Sequence, residues 1–177
     1  MTERDQALKQ AILRCAEDMC TAALSAPKAC GVDSIVTGIL TGGEVAAICK
    51  EMRAMEDTIP NCKPIFYRDA ALVEDCPAVV LIGAVREPRG LVPCSLCGFA
   101  NCAAAAAAGG HCCYDDIDLG IAVGSAASIA ADRRVDNRVL YSAGYAALRL
   151  GLLGPDVKHV IAIPLNVKPR NPFFVRT

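Results

Sequence analysis

Five of the chain's eleven cysteines fall within the 20 residues from Cys94 to Cys113. At uniform density such a window would hold about one. The run Cys94-Ser95-Leu96-Cys97-Gly98-Phe99-Ala100-Asn101-Cys102 reads C-x2-C-G-x3-C, and His111-Cys112-Cys113 follows it. In a reducing compartment a local excess of thiols signals metal rather than disulfides. Whatever the remaining residues build, they must carry this loop and let its sulfurs converge.

An iron–sulfur cluster requires thiolates that close on a compact inorganic core. Short loops followed by a more distant thiol achieve this. Gly98 after the second cysteine suits a backbone wrapping such a core, where positive φ is common. The Ala103–Ala108 tract is a strong helix former. A helix starting near Cys102 would aim its positive end at the site, worth about 0.3–1 kcal/mol. Zinc is the competing ligand, but it favours two short C-x2-C pairs. Here Cys102 and Cys112 are far apart while Cys112 and Cys113 are adjacent. From the residues alone either Cys112 or Cys113 serves as fourth thiol; His111 could substitute but reads first as a neighbour of the site. The scattered Cys15, Cys20, Cys30, Cys49, Cys62 and Cys76 read as small buried hydrophobes.

The 177 residues suit one domain, 1–177, with 86–113 as a cysteine-rich loop inside it. The apolar fraction is 54 %, with no Trp, and Ala and Gly supply much of it, which predicts closely packed helices around a lean core. Met1 to Gln10 is too polar for a secretory leader. The longest uncharged apolar stretches, 78–85 and 119–131, are shorter than the roughly 20 residues of a membrane span. We expect a cytoplasmic protein that binds neither membrane nor nucleic acid, since basic runs interleaved with aromatics are missing. Net charge is −1, but residues 133–177 carry eight Lys/Arg against two Asp/Glu. A basic quarter of this kind suits either an anion or a solvated helix face.

Apolar spacings of three and four predict a helix over 3–25 capped by Thr2, and a second after Thr41-Gly42-Gly43. Strands are predicted at 35–40, 65–68, 78–84 and 159–165. The uninterrupted apolar run 78–84 suits a strand buried on both faces. Further helices are expected over the alanine tract, 116–131 and 138–152, the last capped by Asp136 or Asn137. His159 reads as a structural residue opening the final strand. The order implies an α/β (α+β) layer fold with a mixed sheet flanked by helices. P-loop, GxGxxG and triad motifs are missing.

Together these segments resemble a family of uncharacterised proteins containing a ferredoxin domain. The resemblance rests on Ala26-Pro27-Lys28-Ala29-Cys30-Gly31-Val32-Asp33, Arg68-Asp69, the Cys94–Cys102 run, Ile117-Asp118-Leu119-Gly120-Ile121-Ala122-Val123-Gly124-Ser125-Ala126, Val135-Asp136-Asn137-Arg138 and Ala162-Ile163-Pro164-Leu165. In that family a thiol precedes the glycine of the D-L-G segment by eight residues, which selects Cys112. An aliphatic residue usually follows that thiol, so Cys113 is a departure. More distantly the layout is similar to the flavin-dependent nitroreductase fold, whose members are dimers with FMN at the subunit interface. The usual arginine-rich phosphate grip near the N-terminus is missing, which leaves Lys28, Lys168 and Arg170 as phosphate candidates.

These readings lead to three expectations. The first is a small redox protein holding one [4Fe-4S] cluster on Cys94, Cys97, Cys102 and Cys112. It would pass electrons to a redox partner protein or a small-molecule acceptor, with a flavin in the same homodimer as one route. Asp115, Asp116 and Asp118 nearby would favour a low potential. The second is an FMN-dependent nitroreductase-like enzyme with accessory thiols. The third is a zinc-stabilised, non-catalytic binding module.

Overall fold

A computed structural model describes residues 3–174. In chain order the elements are α1 (Arg4–Ser25), a 3-10 turn (Ala29–Gly31), β1 (Ile35–Leu40), α2 (Gly43–Thr58), α3 (Phe66–Val73) and β2 (Ala78–Val85). They continue with α4 (Cys102–Ala107), α5 (Cys113–Asp132), β3 (Asp136–Asn137), α6 (Tyr141–Arg149) and β4 (Val157–Asn166). The four strands form one sheet in the order β1-β2-β4-β3.

Helices cover both faces of the sheet, and side-chain alternation along β2 shows why its sequence is apolar throughout. Ala78, Val80, Ile82 and Ala84 pack against α1 and α5, whereas Val79 and Leu81 pack against α2, α3 and α6. The lean composition serves this packing. Ala16 and Ala23 of α1 and Ala126 and Ala130 of α5 are fully buried in one cluster, bringing the two long helices close. On the other face a Cβ on Gly144 of α6 would lie 2.2 Å from the Val160 carbonyl oxygen of β4, so only glycine allows that approach.

Three local expectations are corrected. Residues 65–68 are not a strand but lead into α3, whose buried Phe66, Asp69, Ala70 and Val73 recur at helical spacing. The aromatic pair Phe66-Tyr67 favours strands by propensity. Here a Glu56 carboxylate accepts the Tyr67 amide at 2.9 Å and satisfies the helix start. With two helices between β1 and β2 the chain re-enters the sheet at the end it left, Leu40 lying beside Val79. Every pairing is antiparallel, so the sheet is not mixed. Asp136 and Asn137 do not cap a helix; they pair with Asn166 and Leu165 as β3. Leu140 then bridges Ala162, which delays α6 to Tyr141. The proposed cap Thr2 lies outside the described residues, and Glu3 is the residue at the N-cap of α1.

Candidate metal centre

Residues 86–101 leave the sheet at the end of β2 as an irregular loop. Gly90, Ser95 and Gly98 have positive φ, and Gly98, at 83°, occupies a conformation that disfavours side chains. The Gly98 amide donates to the Ser95 carbonyl at 3.0 Å, forming the turn between Cys97 and the rest of the loop. Asn101 caps α4 by accepting the Ala104 amide at 2.9 Å, which fixes Cys102 as the first helical residue. The alanine helix stops after six residues at Gly109. Gly110 lies under the Phe99 ring, closer than any Cβ would permit, so the two ends of the loop close on each other. The chain then reaches Cys112, the N-cap residue of α5, and Cys113, its first residue.

This path brings all five thiols, Cys94, Cys97, Cys102, Cys112 and Cys113, to the lining of one cavity of about 260 Å³. Each is half-buried. The sequence-derived set therefore converges, and both candidates for the fourth thiol are present. Burial, and then the charges of Cys112, Cys94 and Cys97, push the Cys113 thiol up. The N-terminus of the 20-residue α5 opens on the same cavity and favours negative charge there more than the short α4 can.

Sequence reasoning missed what holds the loop in place. Arg89 is buried, donating to Asp118 at 2.7 Å and to Ser34 at 2.8 Å. Its guanidinium also lies 3.1 Å from Asp115. Asp118 in turn accepts the Ala29 amide at 3.1 Å. One ion-pair network thus joins the loop, α5, the entry to β1 and the turn after α1. Burial opposes the charge on Arg89, but the hydrogen bond to Asp118 and the charges of Asp115, Asp118 and Cys112 outweigh it and raise its pKa. Burial pushes the Asp115 carboxyl up, although Arg89 opposes it. The Arg89 Nε–H has no hydrogen-bond partner among the described residues. The arginine compensates one of these two carboxylates, which weakens the expected effect of the three aspartates on potential. The only sequence signal was a second Arg in a Pro/Gly loop followed by aspartates at a spacing of three.

The phosphate candidates lie elsewhere. Lys28 turns its ammonium onto the carbonyls of Leu24 and Ala26, at 2.5 and 3.0 Å, and so caps the end of α1. Lys168 and Arg170 are exposed after β4, and Lys168 lies 3.5 Å from Asp75. Of the scattered cysteines, Cys15, Cys49 and Cys76 are buried and Cys20 and Cys62 partly so. Cys30 is exposed instead, at φ 58° in the turn after α1. His159 is not merely a strand residue: its Nδ1 bonds Asp116, which also bonds His111 at 2.9 Å.

A family described as uncharacterized proteins containing a ferredoxin domain matches residues 108–176, which include Cys112, Cys113 and the whole of α5. An uncharacterized protein of Archaeoglobus fulgidus is 35 % identical over 166 residues, 89 % of this chain and 88 % of its own length. The chain belongs to this ferredoxin-domain family. Its fold is nitroreductase-like. An iodotyrosine deiodinase solved with FMN and 3-iodo-L-tyrosine matches at TM-score 0.59 and 11 % identity, over 93 % of this chain and 86 % of that one. A nitroreductase-like family protein from Bacillus cereus matches at TM-score 0.57 and 12 % identity, over 100 % and 81 %. A nitroreductase family protein from Clostridium novyi NT matches at TM-score 0.55 and 17 % identity, over 94 % and 76 %. At these identities the likeness is one of fold. Among the described residues of this ferredoxin-domain protein, no helix is long and apolar enough to cross a membrane.

Proposed function

We propose that this protein is a small cytoplasmic electron carrier that holds one [4Fe-4S] cluster on Cys94, Cys97, Cys102 and Cys112. The observation that carries this reading is the convergence of five thiols, from a loop and a helix N-terminus, on one cavity. When bound, the cluster supplies a one-electron couple. The protein's own residues position it and set its surroundings. Asn101 and Gly98 shape the thiol loop, and Arg89 anchors it while placing a cation near Cys112. Cys113 is a fifth thiol beside the ligands. Val92 and Leu96, both exposed on the same loop, offer an apolar contact to a redox partner or a small acceptor.

A zinc-stabilised module would use the same thiols, and counting zinc against iron and acid-labile sulfide separates the two.

A flavin is the second reading, and the fold shared with an FMN-bound structure supports it. In that form the protein is a homodimer in which FMN lies at the interface and exchanges electrons with the thiol site. Lys168 and Arg170 then remain as phosphate contacts, because Lys28 is engaged at α1. Anaerobic dithionite reduction followed by low-temperature EPR tests the main reading. A rhombic signal from a reduced cluster in the wild type, lost in Cys97→Ala, is expected. An EPR-silent protein whose visible spectrum is that of free or bound flavin would transfer the chemistry to FMN.

A further inference from the structure

The chain has two histidines, and both meet the same carboxylate. His111 comes from the thiol loop, Asp116 from the first turn of α5, and His159 from β4. One ligand atom from each lies within 4.8 Å of the other two. The two imidazole centroids are 4.6 Å apart. We propose that His111, Asp116 and His159 form a second metal site, distinct from the thiol centre, that binds a divalent transition ion such as zinc.

The donor chemistry favours this. Two neutral imidazoles and a carboxylate suit zinc or iron(II), and a set of three leaves a coordination position open. In a tetrahedral site with ligands about 2.0–2.1 Å from the ion, the donor atoms stand about 3.3 Å apart. Both imidazoles already hydrogen-bond the Asp116 carboxylate, so an ion would replace the protons between them, and rotations of the two rings and the carboxylate would set that spacing. The three donors come from separate elements that the fold already holds together, so little ordering is needed on binding.

Charge around the site is also permissive. The cations of the adjoining segments are directed elsewhere: Lys158 donates to the Pro155 carbonyl at 2.8 Å and Arg86 to the Ala106 carbonyl at 3.3 Å. Asp115 is committed to Arg89. Each of the three side chains is about two-fifths exposed, which leaves an entry path for an ion. Asp116 and His159 also line a largely apolar cavity of about 650 Å³ with Leu119, Tyr141 and Tyr145. His111 instead lines the thiol cavity, so an ion held by the three side chains would stand between the two cavities.

The inference does not depend on what the thiols bind, and the test keeps the two apart. Wild type, Asp116→Asn and His159→Asn would be dialysed against buffered zinc, and bound zinc counted per chain. The zinc K-edge spectrum of each protein would be recorded alongside, and circular dichroism would verify the fold of each variant. Zinc on the thiols is common to all three and cancels. The proposal predicts one equivalent more in the wild type, with only nitrogen and oxygen in its difference shell, and at least about 100-fold weaker binding in either variant. Equal zinc content in the three folded proteins, or sulfur in the difference shell, would overturn it.

Discussion

At the scale of single residues, the two classes of cysteine should separate cleanly. Cys97→Ala should abolish cluster loading, whereas Cys49→Ala should leave iron and sulfide unchanged, as measured by metal and acid-labile sulfide analysis. Equal loading of the two variants would refute the ligand assignment. Cys112→Ala and Cys113→Ala test the fourth position, and only the former should lose the cluster. Burial pushes the Cys49 thiol to about 11 and the Cys76 thiol to about 12, from an ordinary 9.0. Above pH 9 the unfolded chain releases these protons while the folded chain keeps them. Their contribution is therefore complete below pH 9 and is lost as pH rises towards 11 and 12, at about 1.4 kcal/mol per unit for each thiol. Urea midpoints of the cluster-free protein should fall over that window, and by less in Cys76→Ala relative to its own value at pH 8. Arg89→Met would leave Asp115 and Asp118 buried without their cation. It should cost about 3–5 kcal/mol in urea unfolding, and a neutral result would mean that the network does not secure the loop.

Elements were legible where one periodicity dominated. The stripe Ile12, Cys15 and Met19 located α1, and the unbroken run from Ala78 located β2, because burial on one or both faces leaves a mark at each turn or each residue. Phe66-Tyr67 misled, since the helix there is imposed by α2 through Glu56 and not by local propensity. Asp136-Asn137 misled in the same way: a residue suited to capping was recruited to a sheet edge by β4. The convergence of the five thiols on one cavity was readable because their spacing is local. The Arg89 network and the His111–Asp116–His159 group were not, because their members lie 26 and more positions apart across the Arg89–Asp115 and His159–Asp116 pairs. Close packing of α6 on β4 gives an element-level test. Gly144→Ala places a Cβ against the Val160 carbonyl. It should cost about 1–3 kcal/mol through displaced packing, again read from urea unfolding.

For the whole molecule, a nitroreductase-like α/β/α scaffold carries a thiol loop at the exit of its central strand, and a single ion-pair network ties that loop to α5 and to the start of β1. If the protein works as a homodimer, sedimentation equilibrium should return twice the chain mass, whether or not flavin is present. What occupies the thiol loop decides the protein's chemistry. Protein purified without oxygen should be analysed for iron, acid-labile sulfide, zinc and FMN per chain. The expected result is a brown protein with about four irons and four sulfides. A yellow protein with stoichiometric FMN and little iron, or a colourless one with zinc on its thiols, would contradict it.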